Sequence, residues 1–215
     1  MLQIPDLNGL FIVVLAISVI PFFAMVVTSY TKIVVVLGLV RNALGVQQVP
    51  PNMVLNGIAI IISAYVMAPI GIAAMGNFKP AQGASSAQNV VSGFDAAREP
   101  FRQFLKKHTG TGEIQFFLRS AGSIWPKEQA QELKPDDLIV LAPSFTLTEL
   151  TDAFKIGFML YIAFVAVDLI VANVLMAMGL NQVSPTNVSI PFKLMLFVVM
   201  DGWSHLIHGL VLTYK

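Results

Sequence analysis

The 215-residue chain contains no cysteine, so neither a disulfide framework nor a thiolate metal site can form. Charged residues are also scarce, at 12% of the chain, where a soluble globular domain usually carries about 25%. The net charge of +1 gives no electrostatic basis for binding nucleic acid. Because 56% of the residues are hydrophobic, the composition favours a membrane protein without a nucleic-acid partner.

Long apolar runs occur at several places in the chain. Four stretches are long enough to cross a hydrocarbon core of about 30 Å, namely residues 10–27, 54–75, 156–180 and 190–212. The first lacks a small-residue cleavage pattern, so we expect a retained helix rather than a removed signal peptide. A further apolar run, residues 33–40, is too short to span. The sequence therefore predicts an all-α membrane-complex protein with four long hydrophobic helices in hairpins.

The charge pattern suggests how the chain is divided. We predict an N-terminal hydrophobic helical region at 1–75 with a connecting loop at 28–53, a helical periplasmic domain at 76–145, and a C-terminal long-helix hairpin at 146–215. Lys32 and Arg41 lie in the connecting loop without any acid, which indicates a cytoplasmic loop. The segment after the second apolar stretch would then lie outside the cytoplasm.

The predicted periplasmic domain begins with a small, polar stretch at 79–92, which is typical of a linker. Ser92 and Asp95 then form a capping-box pattern that predicts a helix start, and Pro100 is expected to kink or restart the helix. Five apolar residues share one face of it, namely Phe94, Ala97, Phe101, Phe104 and Leu105. This face either packs inside the domain or contacts a neighbouring subunit.

A second capping box, formed by Thr146 and Glu149, predicts the start of a long helix that runs to about Met178. Some 30 residues correspond to about 45 Å of helix. That length exceeds the thickness of a hydrocarbon core, so we expect the helix to project beyond a bilayer or not to be an ordinary spanning helix.

Four polar residues in the C-terminal apolar stretches need an explanation, because ionisable groups are costly at membrane depth. Asp201, His205 and His208 are spaced i, i+4, i+7 and would share one helix face, while Asp168 lies in the preceding stretch. The four residues, here called the polar stripe, could ligate a metal, relay protons or pack against other helices. No fourth metal ligand follows at a convincing spacing.

Lys193 raises the same question near the start of the last stretch. Its ammonium group either reaches the membrane interface or pairs with an acid, for which Glu149 is the candidate. Within a simple hairpin that turns near Asn181, the two residues would lie roughly 30 Å apart. A pair between Glu149 and Lys193 would therefore join two copies of the chain, which indicates an oligomer.

Three long motifs make the chain similar to a known family. The segments "RNALGVQQVPPNMVLNG" (41–57), "LTELTDAFKIGF" (147–158) and "SPTNVSIPFKLMLFVVMDGW" (184–203), together with the four apolar stretches, resemble the FliP/SctR family in its injectisome branch. These proteins form the export gate of bacterial type III secretion. The resemblance covers nearly the whole chain.

The resemblance implies a homo-oligomer of about five copies that joins S-type, T-type and other export apparatus proteins. It implies an entry pore for unfolded substrate proteins, located in the bacterial inner membrane and extending into the periplasm. It also implies an inter-subunit salt bridge between Glu149 and Lys193. The polar stripe would then be buried against other protein rather than lipid.

The family commonly has a methionine-rich loop between the two C-terminal helices, which suits a flexible seal around a pore. Here the loop at 179–185 reads "GLNQVSP". We place the pore constriction at Gly179, Leu180, Asn181, Gln182 and Val183, although the sequence does not support a methionine seal there.

Motifs of enzymes do not occur in the sequence. There is no nucleophile elbow, glycine-rich phosphate loop or H-E-x-x-H motif, so we predict a protein that is not an enzyme and needs no metal or cofactor. The alternative function is a proton-coupled transporter or ion-conducting protein that uses the polar stripe as a relay. That alternative predicts a monomer or dimer whose transport fails when Asp201 is neutralised.

Overall fold

A computed structural model describes residues 25–78 and 86–215, together with positions 14, 15, 18 and 21. Every regular element in these residues is a helix, which confirms the all-α prediction. The helices are α1 (Tyr30–Ala43), α2 (Asn52–Asn77), α3 (Ser86–His108), α4 (Thr111–Ile124), α5 (Lys127–Glu132), α6 (Leu138–Ala177), α7 (Pro185–Val199) and α8 (Gly202–Leu212).

Two compact units are distinguished by their internal packing. The first unit comprises Met1–Thr31 and Ala64–Glu149, and the second comprises Lys32–Ser63 and Leu150–Lys215. Each unit is thus built from separate stretches of sequence. The three consecutive regions at 1–75, 76–145 and 146–215 stay a prediction.

The core of the first unit joins α3 to the beginning of α6. Leu105, Leu141 and Phe145 are fully buried and pack together, with Phe101 and Phe104 against them. The rings of Phe104 and Phe145 lie 5.6 Å apart in a tilted arrangement, a separation favourable for aromatic pairs. Packing inside the domain is therefore confirmed for part of the predicted α3 face.

Phe94 differs from the rest of that predicted face, because half of it (51%) is exposed. The helix also begins at Ser86 rather than at Ser92, whose hydroxyl donates to the carbonyl of Asn89 inside the helix. Residues 86–91 contain no glycine or proline, so nothing stops the helix from extending toward the N-terminus. Pro100 lies within α3 and does not divide it. Residues 79–85 of the predicted linker lie outside the described residues.

The long helix α6 begins at Leu138, which is earlier than the capping box predicted. Thr146 does not cap it, since its hydroxyl bonds the carbonyls of Ala142 and Val26 from within the helix. Leu138, Leu141 and Ala142 extend the helix because they pack on the α3 core. At 40 residues, α6 is about 60 Å long.

Two described helices, α2 and α6, are long and apolar enough to cross a membrane. Only 11% of the most apolar 18-residue stretch of either helix is buried within the chain. The charges of α6 are concentrated at Glu149, Asp152 and Lys155, whereas residues 156–177 hold only Asp168. The predicted stretch at 10–27 lies largely outside the described residues.

The predicted continuous helix over 190–212 is wrong. The chain breaks between α7 and α8, whose axes differ by 62°, and the two helices are long enough for a span only when taken together. Asp201 stands at the break with φ 49° and ψ 45°, a left-handed conformation that an α-helix cannot continue through. The described residues therefore provide two candidate spans, or three if the bent pair counts as one.

The second unit contains the hairpin of α6 and α7, and Gly179 ends α6 in a left-handed conformation with φ +73°. The amide of Gly179 donates to the carbonyl of Met176, and that of Leu180 donates to Leu175. This is the Schellman pattern of helix termination. Ser184 then precedes Pro185 at the first position of α7, where proline is favoured because no amide donor is needed.

Candidate functional site

The site in the second unit is centred on the Lys193 side chain, which is only 4% exposed. Its Nζ lies 2.6 Å from Asp168 Oδ2 and donates to the carbonyl of Ala43 at 3.2 Å. The sequence predicted either an interfacial lysine or a pair with an acid. Within the chain, the second alternative applies, and the acid is Asp168.

Ser189 completes this arrangement from the preceding turn of α7. Its hydroxyl lies 2.5 Å from Asp168 Oδ1 and 3.1 Å from the carbonyl of Thr186, and Ser189 itself is fully buried. Because positions i and i+4 share a helix face, Ser189 and Lys193 both reach the same carboxylate. We call Lys193, Asp168, Ser189 and the Ala43 carbonyl the lysine cluster.

The lysine cluster joins the end of α1 to the α6–α7 hairpin. Ala43 is the last residue of α1, and its carbonyl has no partner further along the helix. A cation at a helix C-terminus is stabilised by the helix dipole, so the Lys193 ammonium suits this position electrostatically. Gly45, with φ +77°, turns the chain away directly afterwards.

Close packing accompanies these polar contacts. A β-carbon at Gly45 would lie 3.0 Å from Cγ1 of Ile190 in α7, and one at Gly157 would collide with the Leu39 side chain of α1. The absence of side chains at Gly45 and Gly157 therefore allows α1 to approach both helices of the hairpin. The lysine cluster thus connects the three helices α1, α6 and α7.

The exposure of the two charged partners differs. The side chain of Asp168 is 38% exposed while that of Lys193 is almost inaccessible. The carboxylate is therefore partly uncovered by the chain, whereas the ammonium depends on its protein partners. In the lysine cluster, the cation is buried and its carboxylate partner is partly exposed, so the two charges are not equally buried.

The remaining residues of the polar stripe are not brought together with this cluster. Asp201 lies at the break before α8 and is exposed, as are His205 and His208. The Nδ1 atom of His205 lies 3.1 Å from the backbone carbonyl of Asp201. Asp201 stands at the N-terminal cap of α8, which contains His205 and His208, so the break precedes all three residues and their shared role stays a prediction. Burial of the stripe would require other subunits and stays a prediction.

No group of three or more histidine, cysteine, aspartate or glutamate side chains within the described ranges could hold a metal ion. The D-x-x-x-H-x-x-H spacing therefore does not form a ligand set in this part of the chain. Its aspartate precedes α8, and the two histidines lie one turn apart within α8.

Glu149 is 1% exposed and engages in an interaction within the chain. It belongs to the first unit, whereas Lys193 belongs to the second. The predicted inter-subunit salt bridge between Glu149 and Lys193 stays a prediction.

The predicted pore loop lies at the tip of the α6–α7 hairpin. Gly179, Leu180, Asn181, Gln182 and Val183 are all exposed. The amide of Val183 donates to the carbonyl of Leu180 at 3.2 Å, which makes a tight turn. Met176 and Met178, at the end of α6, are exposed beside it. The loop is therefore accessible for contact with other molecules, and its role in a constriction stays a prediction.

Sequence reasoning missed Asp168 as the partner of Lys193, although the hairpin contained the signal. If the chain turns near Asn181, Asp168 lies about 13 residues before the turn and Lys193 about 12 after it. Residues at equal distances from the turn of an antiparallel helix pair lie at the same height, because each residue rises about 1.5 Å. The same calculation that separated Glu149 from Lys193 could thus have identified Asp168.

Comparison with known proteins gives a family match over most of the chain, since residues 13–210 fit the model of the FliP family. The Hypersensitivity response secretion protein HrcR of Ralstonia nicotianae is 63% identical over the full length of both chains. Pathogenicity-related ORF2 of Xanthomonas campestris pv. glycines is 64% identical, also over both full lengths. Yop proteins translocation protein R of Yersinia pestis is 46% identical over all of this chain and 99% of the relative.

Proposed function

Because the chain belongs to the FliP family of type III secretion export apparatus proteins, we propose that it is a core subunit of the export gate. In this role, copies of the chain assemble with S-type, T-type and other export apparatus proteins around an entry pore for unfolded substrates. The chain contributes a structural wall and no chemical step. Partner proteins supply the energy.

The observation that carries this proposal is the uncovered apolar surface of the long helices. Most of the apolar surface of α2 and α6 is not covered by other parts of the chain. Apolar patches of this size require contacts with lipid or with other proteins. Full-length relatives with 46% and 63% identity have names that refer to translocation and secretion. Assembly with other subunits would cover the apolar surface and would agree with the names of the relatives.

We infer a position in the bacterial inner membrane with part of the complex in the periplasm. Apart from Asp168, the charges of α6 precede residue 156. Residues 156–177 form about 33 Å of helix. That division matches one end outside the hydrocarbon and the other within an apolar environment. Lys32 and Arg41 favour a cytoplasmic location for the segment 28–53.

The hairpin tip at Gly179–Val183 is the proposed constriction. It is a short turn between two apolar helices, and all five of its residues are exposed. With Leu180, Asn181 and Gln182 at its centre, such a ring of turns would combine apolar and amide groups. We infer contact with extended substrate chains through these groups rather than through methionine.

Native mass spectrometry of the chain in mild detergent tests the proposal, with the chain expressed alone and together with its genetic neighbours. We expect a species of about five copies that gains other small membrane proteins on co-expression. A stable monomer or dimer that ignores its neighbours would overturn the proposal and favour the proton-coupled transporter.

The inter-subunit salt bridge is tested in the same assay with Glu149→Gln. Loss of the oligomer in Glu149→Gln, with assembly retained in Asp168→Asn, would support the pair. Asp168→Asn is the matched control, because it removes the partner of Lys193 within the chain and leaves Glu149 unchanged. If both single variants assemble equally well, the salt bridge is not the contact that holds the subunits together.

A further inference from the structure

The helix α8 departs from α7 through an elbow at Met200–Asp201. The axis changes direction by 62° there, and Asp201 adopts a left-handed conformation that most side chains disfavour. Its side chain makes no capping hydrogen bond to the start of α8. The elbow is therefore not formed by a favourable helix cap.

Aromatic packing stabilises the bent form. The ring of Phe197 lies 5.2 Å from that of Trp203 in an edge-to-face arrangement and 6.2 Å from that of Phe164. A β-carbon at Gly202 would collide with the Phe197 ring. Glycine at position 202 thus allows α7 and α8 to meet at this angle.

The bend leaves an open groove of about 750 Å³ between α8 and α6. One wall contains Met159 and Ala163 of α6, and the opposite wall contains Leu206 and Gly209 of α8. Apart from His205, the side chains in the lining are apolar or weakly polar. A β-carbon at Gly209 would meet no atom within 4 Å, so the groove is empty of protein at that point.

Beyond the C-terminal end of α8, the chain contacts α1 again. Nζ of Lys32 lies 4.4 Å from the centre of the Tyr214 ring, within the range of a cation–π interaction. Lys32 is only 4% exposed, so water weakens the interaction little. The arm formed by α8 is thus held at the elbow, at the buried Leu210 side chain and at this contact, which we call the latch. The groove separates the rest of the arm from α6.

We propose that α8 is a movable arm that closes against α6 when the latch opens. Closure would bring the apolar walls of the groove into van der Waals contact and would let Asp201 leave its left-handed conformation. The latch and the aromatic packing of Phe197 oppose closure. This inference goes beyond the proposed export role and does not depend on it.

The chain has no cysteine, so two introduced cysteines report on closure without background reactions. We would place them on opposite walls as Met159→Cys and Leu206→Cys, and measure the rate of oxidative cross-linking in the full chain in mild detergent. Mass spectrometry of digested monomer bands identifies the disulfide within one chain. Cross-links between chains appear separately as dimers.

Two pairs of variants bias the arm in opposite directions. Asp201→Ala disfavours the left-handed conformation and Asp201→Gly permits it, while both remove the same carboxylate. We expect cross-linking about fivefold faster with Ala than with Gly, as the steric penalty for a left-handed residue predicts. At the latch, Tyr214→Leu removes the aromatic face and Tyr214→Phe keeps it, so Leu is expected to be faster than Phe.

Equal cross-linking rates within both pairs would overturn the movable arm. A faster rate for Tyr214→Leu together with a faster rate for Asp201→Ala supports both the hinge and the latch. Size-exclusion profiles that match the parent verify that the variants remain folded. Since the assay follows contacts within one chain, its result is distinguishable from any failure of the chain to form the proposed oligomer.

Discussion

At the scale of single residues, the lysine cluster shows how an ionisable group is stabilised in an apolar segment. Lys193 is nearly inaccessible, but its ammonium contacts Asp168 and the terminal carbonyl of α1. Removing one partner of a buried pair is costly because the other charge is left without compensation. The unequal exposure of the two partners makes this cost depend on which one is removed.

Asp168→Ala is expected to destabilise the chain more than Lys193→Met. The first variant leaves a buried ammonium with only a carbonyl partner, for which a loss of about 3–5 kcal/mol is typical. The second leaves a carboxylate that is 38% exposed and near the Ser189 hydroxyl, so we expect a loss of about 1–2 kcal/mol. Thermal unfolding of the purified variants in detergent gives the order, and the reverse order would contradict the assigned burial.

Two glycines of the α1 region are predicted to respond oppositely to alanine. Gly45→Ala places a β-carbon in a left-handed conformation and against Ile190, so we expect a destabilisation of about 1–2 kcal/mol. Gly38→Ala lies inside α1, where the added carbon meets nothing within 4 Å, and should stabilise by about 0.5–1 kcal/mol. Thermal unfolding of both variants checks the contrast, which two shifts of the same sign would contradict.

At the scale of helices, the packing of α3 on α6 separates buried from exposed aromatic residues. The sequence placed Phe94 on the same helix face as Phe101 and Phe104, since helical periodicity makes them equivalent. Only the latter two reach the core around Phe145. The periodicity of α3 does not show which part of this helix packs on α6, so it could not separate Phe94 from Phe101 and Phe104.

This difference yields a prediction for the first unit. Phe145→Ala should destabilise it by about 3–5 kcal/mol, because a fully buried ring leaves a cavity. Phe94→Ala removes the same ring from a position that is half exposed and should change stability by less than about 1 kcal/mol. Limited proteolysis of the two variants under identical conditions measures the contrast. Equal sensitivity would indicate that the assigned core is wrong.

At the scale of the whole molecule, the proposed orientation can be tested directly because the chain contains no cysteine. Gln47 and Gly112 are exposed positions in different parts of the chain. With a membrane-impermeant maleimide, Gly112→Cys should react in cells with a permeabilised outer membrane, whereas Gln47→Cys should react only after lysis. The opposite pattern would invert the proposed topology.

The sequence by itself determined the helical class, the apolar stretches and the family, because these depend on composition, periodicity and long motifs that are local in the chain. It also determined that Lys193 needs an acidic partner or access to water, since burying a lone ammonium is too costly.

The tertiary structure decided which acid Lys193 contacts within the chain, where α6 begins, and that the last apolar stretch bends at Asp201. Each of these features depends on a contact between segments distant in sequence or on the packing of a side chain such as Phe197 against Gly202. Helical periodicity assigns a residue to a face, but only the neighbouring helices decide what that face meets.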